Sequence, residues 1–107
     1  MHNQDVRRMR RRGLPMERIS RAEIFKRDGM LCHLCGMPIT GKPTIDHVIP
    51  IATPGSPGHV WENLAAAHSA CNSSKRDRVR EADWVLYRQL RERRLADAGC
   101  SAPASAA

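Results

Sequence analysis

The sequence predicts a small α+β domain, a short β hairpin with flanking helices, and three observations carry that expectation. Thr44 to Ile49 is a β-branched run around the polar pair Asp46-His47, the composition of a strand. Two stretches, Ser69 to Lys75 or Arg76 and Val79 to Ala98, have helical patterning. Between and before them, Cys32-x-x-Cys35 and His68-x-x-Cys71 set two pairs of metal-ligating side chains on either side of the expected hairpin. A chain of 107 residues has room for one core, and a domain so small buries too little apolar surface to be comfortably stable without a staple.

Taken in order, residues 1–15 hold five arginines between Arg7 and Arg12 and almost no large apolar side chains. They are expected to form a basic arm that is disordered when free and orders on nucleic acid. The folded domain is expected over 16–98. Ser20 with Glu23 three places on reads as a capping box, Ile24 and Phe25 give that helix an apolar side, and Asp28-Gly29 ends it. The tight turn Cys32-His33-Leu34-Cys35-Gly36 follows. Pro50 limits the first strand, and Ala52 to Gly58, with Pro54-Gly55 and Pro57-Gly58, is a loop. Leu64 to Ala67 is expected to return as the second strand. The connection is long for a hairpin, which points to function. In the last helix Val79, Asp83, Leu86 and Leu90 share a face, with Trp84, Tyr87 and Leu95 beside it, the stripe of a core-facing helix. Residues 99–107, rich in Ala, Ser and Pro, read as a disordered tail.

The formal net charge is +7, and its placement is more informative than its size. Basic residues outnumber acidic ones before Gly29 and again after Cys71, while the middle is nearly neutral. Basic flanks around a neutral centre suit a chain that grips a polyanion and does chemistry between the grips, although a solvated surface explains the charge equally well. No apolar run is long enough to cross a bilayer. The polar, arginine-rich start is unlike a secretory leader, so a reducing cytoplasm is the expected setting, where close cysteine pairs bind metal more readily than each other.

Zinc takes four soft or borderline ligands in a tetrahedron, and a two-residue gap lets one turn present two of them. Cys32, Cys35, His68 and Cys71 form such a Cys₃His set, expected to hold a structural zinc. Buried thiols or a redox pair are the other readings, and His68 is the least secure of the four because it could serve an active site instead. Cys100 and His33 read as bystanders, and His59 as a surface residue of the loop, with contact to a substrate the alternative.

Arg21 to about Arg78 carries five elements in a fixed order. They are Arg21-Ala-Glu-Ile-Phe-Lys-Arg-Asp-Gly before the cysteine pair, Asp46-His47-x-x-Pro50, the Gly/Pro loop, Glu62-Asn63-Leu64, and His68-x-x-Cys71-Asn72-x-x-Lys75. In this order they resemble the HNH endonucleases of the zinc-containing type found in bacteria and their phages. The resemblance implies a ββα-metal fold with a catalytic metal between hairpin and helix. It assigns Asp46 as a metal ligand, His47 as general base, Asn63 as the residue that ties down the loop so that a backbone carbonyl can orient the histidine, and Asn72 as the last site position. Many members have histidine where this chain has Asn72. An amide there, beside a carboxylate, favours Mg²⁺ or Mn²⁺, with Ni²⁺, Co²⁺ or Zn²⁺ the alternatives.

Phosphodiester hydrolysis needs an activated water, a cation for the developing charge and a frame that aligns them. Asp46 and His47 are neighbours in a strand and should point to opposite faces, unless the strand is irregular there. Each of these residues alone has an ordinary explanation as a turn former, cap or satisfied imidazole, and it is their joint occurrence that points to catalysis. The expected activity is cutting of DNA, with Arg10, Arg11, Arg12, Lys75, Arg76 and Arg78 as phosphate contacts, in a bacterial or phage-infected cell. Packaging or restriction proteins are compatible partners. The competing function is a zinc-stabilised DNA-binding or adaptor module without catalysis. An RNA-binding zinc protein ranks last, because few aromatics are available for base stacking.

Overall fold

The computed structural model describes residues 3–101, in which four helices surround a two-stranded sheet. In chain order these are α1 (Asn3–Arg12), α2 (Arg21–Asp28), β1 (Thr44–His47), β2 (Leu64–Ala67), α3 (Ser69–Lys75) and α4 (Glu81–Ser101), with a 3₁₀ turn at Trp61–Asn63 leading into β2. Among the described residues no helix is long and apolar enough to cross a membrane.

Helix α2 forms where its local signals place it. The Ser20 hydroxyl accepts from Glu23 N at 3.4 Å, Gly29 closes the helix in the left-handed conformation at φ +63°, and Ile24 is fully buried. The hairpin pairs antiparallel, with Asp46 opposite Ala65 and His47 opposite Leu64. Strand β1 stops at His47 rather than Ile49, and Asn63 is the reason. Its Oδ1 accepts from Ile49 N at 2.8 Å, and its Nδ2 donates to Ile49 O and Gly58 O at 3.0 and 2.9 Å. The backbone groups that would have extended the ladder are therefore held by a side chain, and Val48 and Ile49 turn inward, fully buried.

Strand β2, Leu-Ala-Ala-Ala, is buried at every position. Alanine is a poor strand former, but its small side chains admit close neighbours on both sides, and tertiary packing overrides the local preference. Cys32, Ile39, Ala66 and Ala67 form one core cluster with Phe25 and Leu34; Val48, Ile49 and Ala65 form a second with Trp84, Leu86 and Tyr87 from α4. Arg27 ties α2 to the hairpin: it bonds Asp28 and the carbonyls of Trp61 and Leu64 and stacks on the Trp61 ring. Asp28 in turn accepts from Ala66 N at 2.8 Å.

Helices α3 and α4 are separate, because Arg76 takes φ +53° and breaks the run. Of the expected stripe on α4, Asp83, Leu86 and Leu90 turn inward, whereas Val79 precedes the helix and Leu95 is exposed. Asp83 is fully buried yet charged, since it accepts from Arg80 N at 2.8 Å and pairs with the Arg80 guanidinium at 2.7 Å. This reproduces the backbone half of a capping box at the start of α4.

Helix α1 departs from the expectation of an arm without structure. Met9 anchors it, fully buried, and Arg12 donates to the carbonyls of Ile51 and Ala52 at 3.2 and 3.1 Å. One apolar side chain and a guanidinium bonded to distant loop carbonyls suffice, and neither partner is visible in local composition. Beyond α1 the chain runs beside the hairpin loop, with His59 N donating to Pro15 O at 2.9 Å and Glu17 N to His59 O at 2.8 Å. At the other end α4 continues to Ser101, into the stretch read as a tail; residues 102–107 lie outside the described residues.

Gly58 lets the Pro15–Glu17 strap and the loop approach. It has φ +87°, and a Cβ there would meet Pro15 O at 2.6 Å. Gly58→Ala should destabilise the fold by about 1–3 kcal/mol, read as a clear drop in Tm by thermal denaturation; an unchanged Tm would contradict this packing.

Candidate active site and metal centre

The four expected zinc ligands converge. The ligand atoms of Cys32, Cys35, His68 and Cys71 all lie within 4.8 Å of one another. Cys32 and Cys35 sit on a knuckle closed by Cys32 N donating to Met37 O and Gly36 N to Cys32 O, and His33 N pins the knuckle to β2 through Ala66 O at 3.0 Å. His68 precedes α3, and Cys71 lies in its first turn. The Nε2–H of His68 donates to Pro38 O at 3.1 Å, which turns Nδ1 toward Cys35 at 3.4 Å and Cys71 at 3.8 Å, leaving that nitrogen as the ligand atom.

The electrostatics suit a cation. Burial raises the Cys32 thiol, but the backbone N–H groups of His68, Cys35 and Leu34 outweigh it and bring its pKa down to about 6. Burial and the adjoining Cys32 and Cys35 push Cys71 up to about 11. Three thiols this close cannot all ionise without a positive charge among them. The donor set, its spacing and the outer hydrogen bond fit a structural zinc.

Asp46 and His47 diverge, as neighbours in a strand must. Asp46 is buried, and its Oδ2 accepts from Lys75 Nζ at 2.8 Å and from His33 Nε2–H at 2.7 Å. Lys75, only 4% exposed, also donates to the carbonyls of His47 and Val48. His47 turns the other way, onto His59, with Nε2 and Nδ1 3.0 Å apart. Burial, then the neighbouring His59, lowers the His47 pKa to about 4. His59 is lowered too, first by burial.

Asn72 faces β1 from α3, its Nδ2 donating to Ile45 O at 3.4 Å. Despite their divergent hydrogen bonds, Asp46, His47 and Asn72 line one cavity of about 170 Å³ together with Arg76 and Asp5. The described hydrogen bonds use Oδ2 of Asp46 and Nδ2 of Asn72, so the Oδ1 atom of each remains as an acceptor. A second cavity, of about 420 Å³, has His47, His59, Arg21 and Asp5 in its wall, so His47 stands between the two. Asn63, fully buried, lies behind this group and fixes the loop by its bonds to Ile49 and Gly58.

Two histidines read as bystander and surface residue thus have polar partners inside the fold. His33 holds Asp46, and its Nδ1 is buried without a partner; His59 holds His47. No spacing rule reveals either, since each partner lies more than ten residues away along the chain. Lys75, expected at phosphate, is instead buried on Asp46, because α3 points it under the hairpin. Arg12 is bonded to the loop carbonyls. Arg10, Arg11, Arg76 and Arg78 are exposed, Arg78 with its guanidinium on Ser74 O.

A two-stranded antiparallel hairpin, a short helix packed on it through Asp46 and Lys75, and a Cys₃His group joining a knuckle to that helix define a small α+β metal-binding domain. Residues 32–78, from the first cysteine of the knuckle past the end of α3, match the family model of the HNH endonucleases. No curated protein and no solved structure matches the chain.

Cys71→Ser should abolish stoichiometric zinc and leave unfolded or aggregated protein, measured by metal content and circular dichroism; folded, zinc-loaded Cys71→Ser would refute the ligand set. Lys75→Met leaves Asp46 buried without its countercharge, which should cost about 3–5 kcal/mol. Adding Asp46→Asn to Lys75→Met should restore much of the lost stability in denaturant unfolding, and an additive loss would show that the pair is not coupled.

Proposed function

We propose that the chain is a metal-dependent endonuclease that hydrolyses DNA phosphodiester bonds, with His47 as the general base. The observation that carries this reading is the cavity of about 170 Å³ that Asp46, His47 and Asn72 line together. Asp46 Oδ1 and Asn72 Oδ1 would hold a divalent cation, with Mg²⁺ or Mn²⁺ favoured by two hard oxygen donors. When bound, such an ion supplies Lewis acidity for the charge developing on the phosphate and the leaving oxygen.

The rest follows from the chain's own groups. Burial keeps His47 neutral at physiological pH, so its imidazole is in the form that accepts a proton from water. Lys75 and His33 hold Asp46 by one oxygen and so fix the direction of the other. Arg76 at the smaller cavity and Arg21 at the larger offer guanidinium groups to phosphates on either side of the scissile bond. Exposed arginines of α1 add affinity that does not depend on sequence.

Plasmid nicking tests the assignment. His47→Ala should cut about 10²- to 10⁴-fold more slowly while keeping zinc content and DNA affinity. Asn72→His should fold normally and shift the preferred ion from Mg²⁺ or Mn²⁺ toward Ni²⁺, Co²⁺ or Zn²⁺. If His47→Ala cuts as fast as wild type, the catalytic reading fails and a zinc-stabilised DNA-binding module takes its place.

The arm is tested by charge rather than by deletion, because Met9 and Arg12 hold it to the fold. Replacing Arg7, Arg10 and Arg11 by Gln should flatten the plot of log affinity against log salt by up to roughly 0.9 per lost phosphate contact, alike for unrelated DNA sequences. An unchanged slope in anisotropy titrations would remove α1 from the DNA interface.

A further inference from the structure

His59 lies in the long loop between the strands, outside every motif that points to the metal chemistry. Its imidazole nevertheless meets that of His47, with 3.0 Å between Nδ1 of His59 and Nε2 of His47 and the rings edge-on at 70°. Two neutral imidazoles at this distance share one proton: one ring donates and the other accepts. The direction decides what His47 can do. With His59 as donor, Nε2 of His47 is occupied, its own proton sits on Nδ1, and no lone pair is left for water. With His47 as donor, Nδ1 is a free lone pair.

We propose that His59 is a positioning residue for His47, accepting from its Nε2–H and so selecting the ring orientation and tautomer in which Nδ1 takes the proton from water. The proposal rests on the reading of His47 as general base. The loop is braced for this task. His59 is held through its own N–H to Pro15 O and its own carbonyl to Glu17 N, and Asn63 fixes the carbonyl of the preceding Gly58. The imidazole is therefore presented from a backbone tethered on three sides. When Nδ1 of His47 takes a proton, the Nε2–H bond to His59 becomes charge-assisted and strengthens, which is how a group behind a catalytic histidine assists it. The orienting group here is a side chain of the loop, where the resemblance implied a backbone carbonyl.

The test uses the zinc-loaded full chain. ¹⁵N NMR of the histidine rings should find the His47 proton on Nε2. His59→Phe, which fills the space without an acceptor, should lower kcat about 10- to 100-fold, leave KM, zinc content and Tm close to wild type, and abolish the His47 tautomer preference. His59→Asn, whose Oδ1 can stand near the place of Nδ1, should recover most of the rate. A His47 proton on Nδ1 in wild type, a His59→Phe rate equal to wild type, or equal losses in the Phe and Asn variants would each overturn the proposal. His47→Ala is run beside them. If it is inactive while His59→Phe is not, only the positioning role fails; if it is fully active, the general-base reading fails with it.

Discussion

Asp46 is a largely buried carboxylate, and the arrangement of the domain follows from how that charge is matched. An unpaired buried anion would cost several kcal/mol. Its Oδ2 instead meets the Lys75 ammonium at 2.8 Å and the His33 imidazole at 2.7 Å. These three residues come from β1, α3 and the cysteine knuckle, so none of the three elements can shift without exposing a charge to a medium that does not tolerate it. Lys75 is in the last turn of α3, whose first turn carries Cys71, and His33 stands between the knuckle cysteines. The metal group therefore sets the positions of both partners of Asp46. The Cys₃His group and the buried ion pair are successive parts of one mechanical chain, which is why so small a core can define a site.

The alternation of a strand is used rather than avoided. Asp46 looks toward α3 and the knuckle, where its charge is neutralised; His47 looks toward the loop, where burial keeps it uncharged. Asn63 makes this divergence productive. By taking over the backbone groups of Ile49 it ends β1 just after the pair, and by holding Gly58 O it brings the loop back over His47. The Pro15–Glu17 strap locks the loop from outside, through a contact that only glycine at position 58 permits.

The basic character of the chain divides in two on the same grounds. Arg12, Arg27, Arg80 and Arg94 are engaged internally, on loop carbonyls, Asp28, Asp83, and Glu17 with Glu62. Hydrogen bonds to Glu17 and Glu62 raise the Arg94 pKa, and those from Arg94 hold that of Glu17 down. Arg7, Arg10, Arg11 and Arg76 are exposed. Net charge alone overstates the binding surface, since a guanidinium is equally suited to closing a carbonyl or a carboxylate within the fold.

What the sequence determined by itself is whatever depends on short range. The Ser20 cap and Gly29 stop bound α2, the two-residue gaps bring the three cysteines and His68 into two turns, and the β-branched run and its alanine-rich return make the hairpin. Asp46, His47, Asn63 and Asn72 were legible as a group because their order and spacing are local properties of the text. Tertiary structure decided the partners. That Lys75 lies under the hairpin, that His33 and His59 hold Asp46 and His47, and that Met9 and Arg12 seat α1 all depend on contacts between residues far apart in sequence. A lysine, a histidine or an arginine carries the same chemistry whether it faces solvent or a buried carboxylate. Burial and the nearest charge make the choice, and both are set only when the chain has closed on itself.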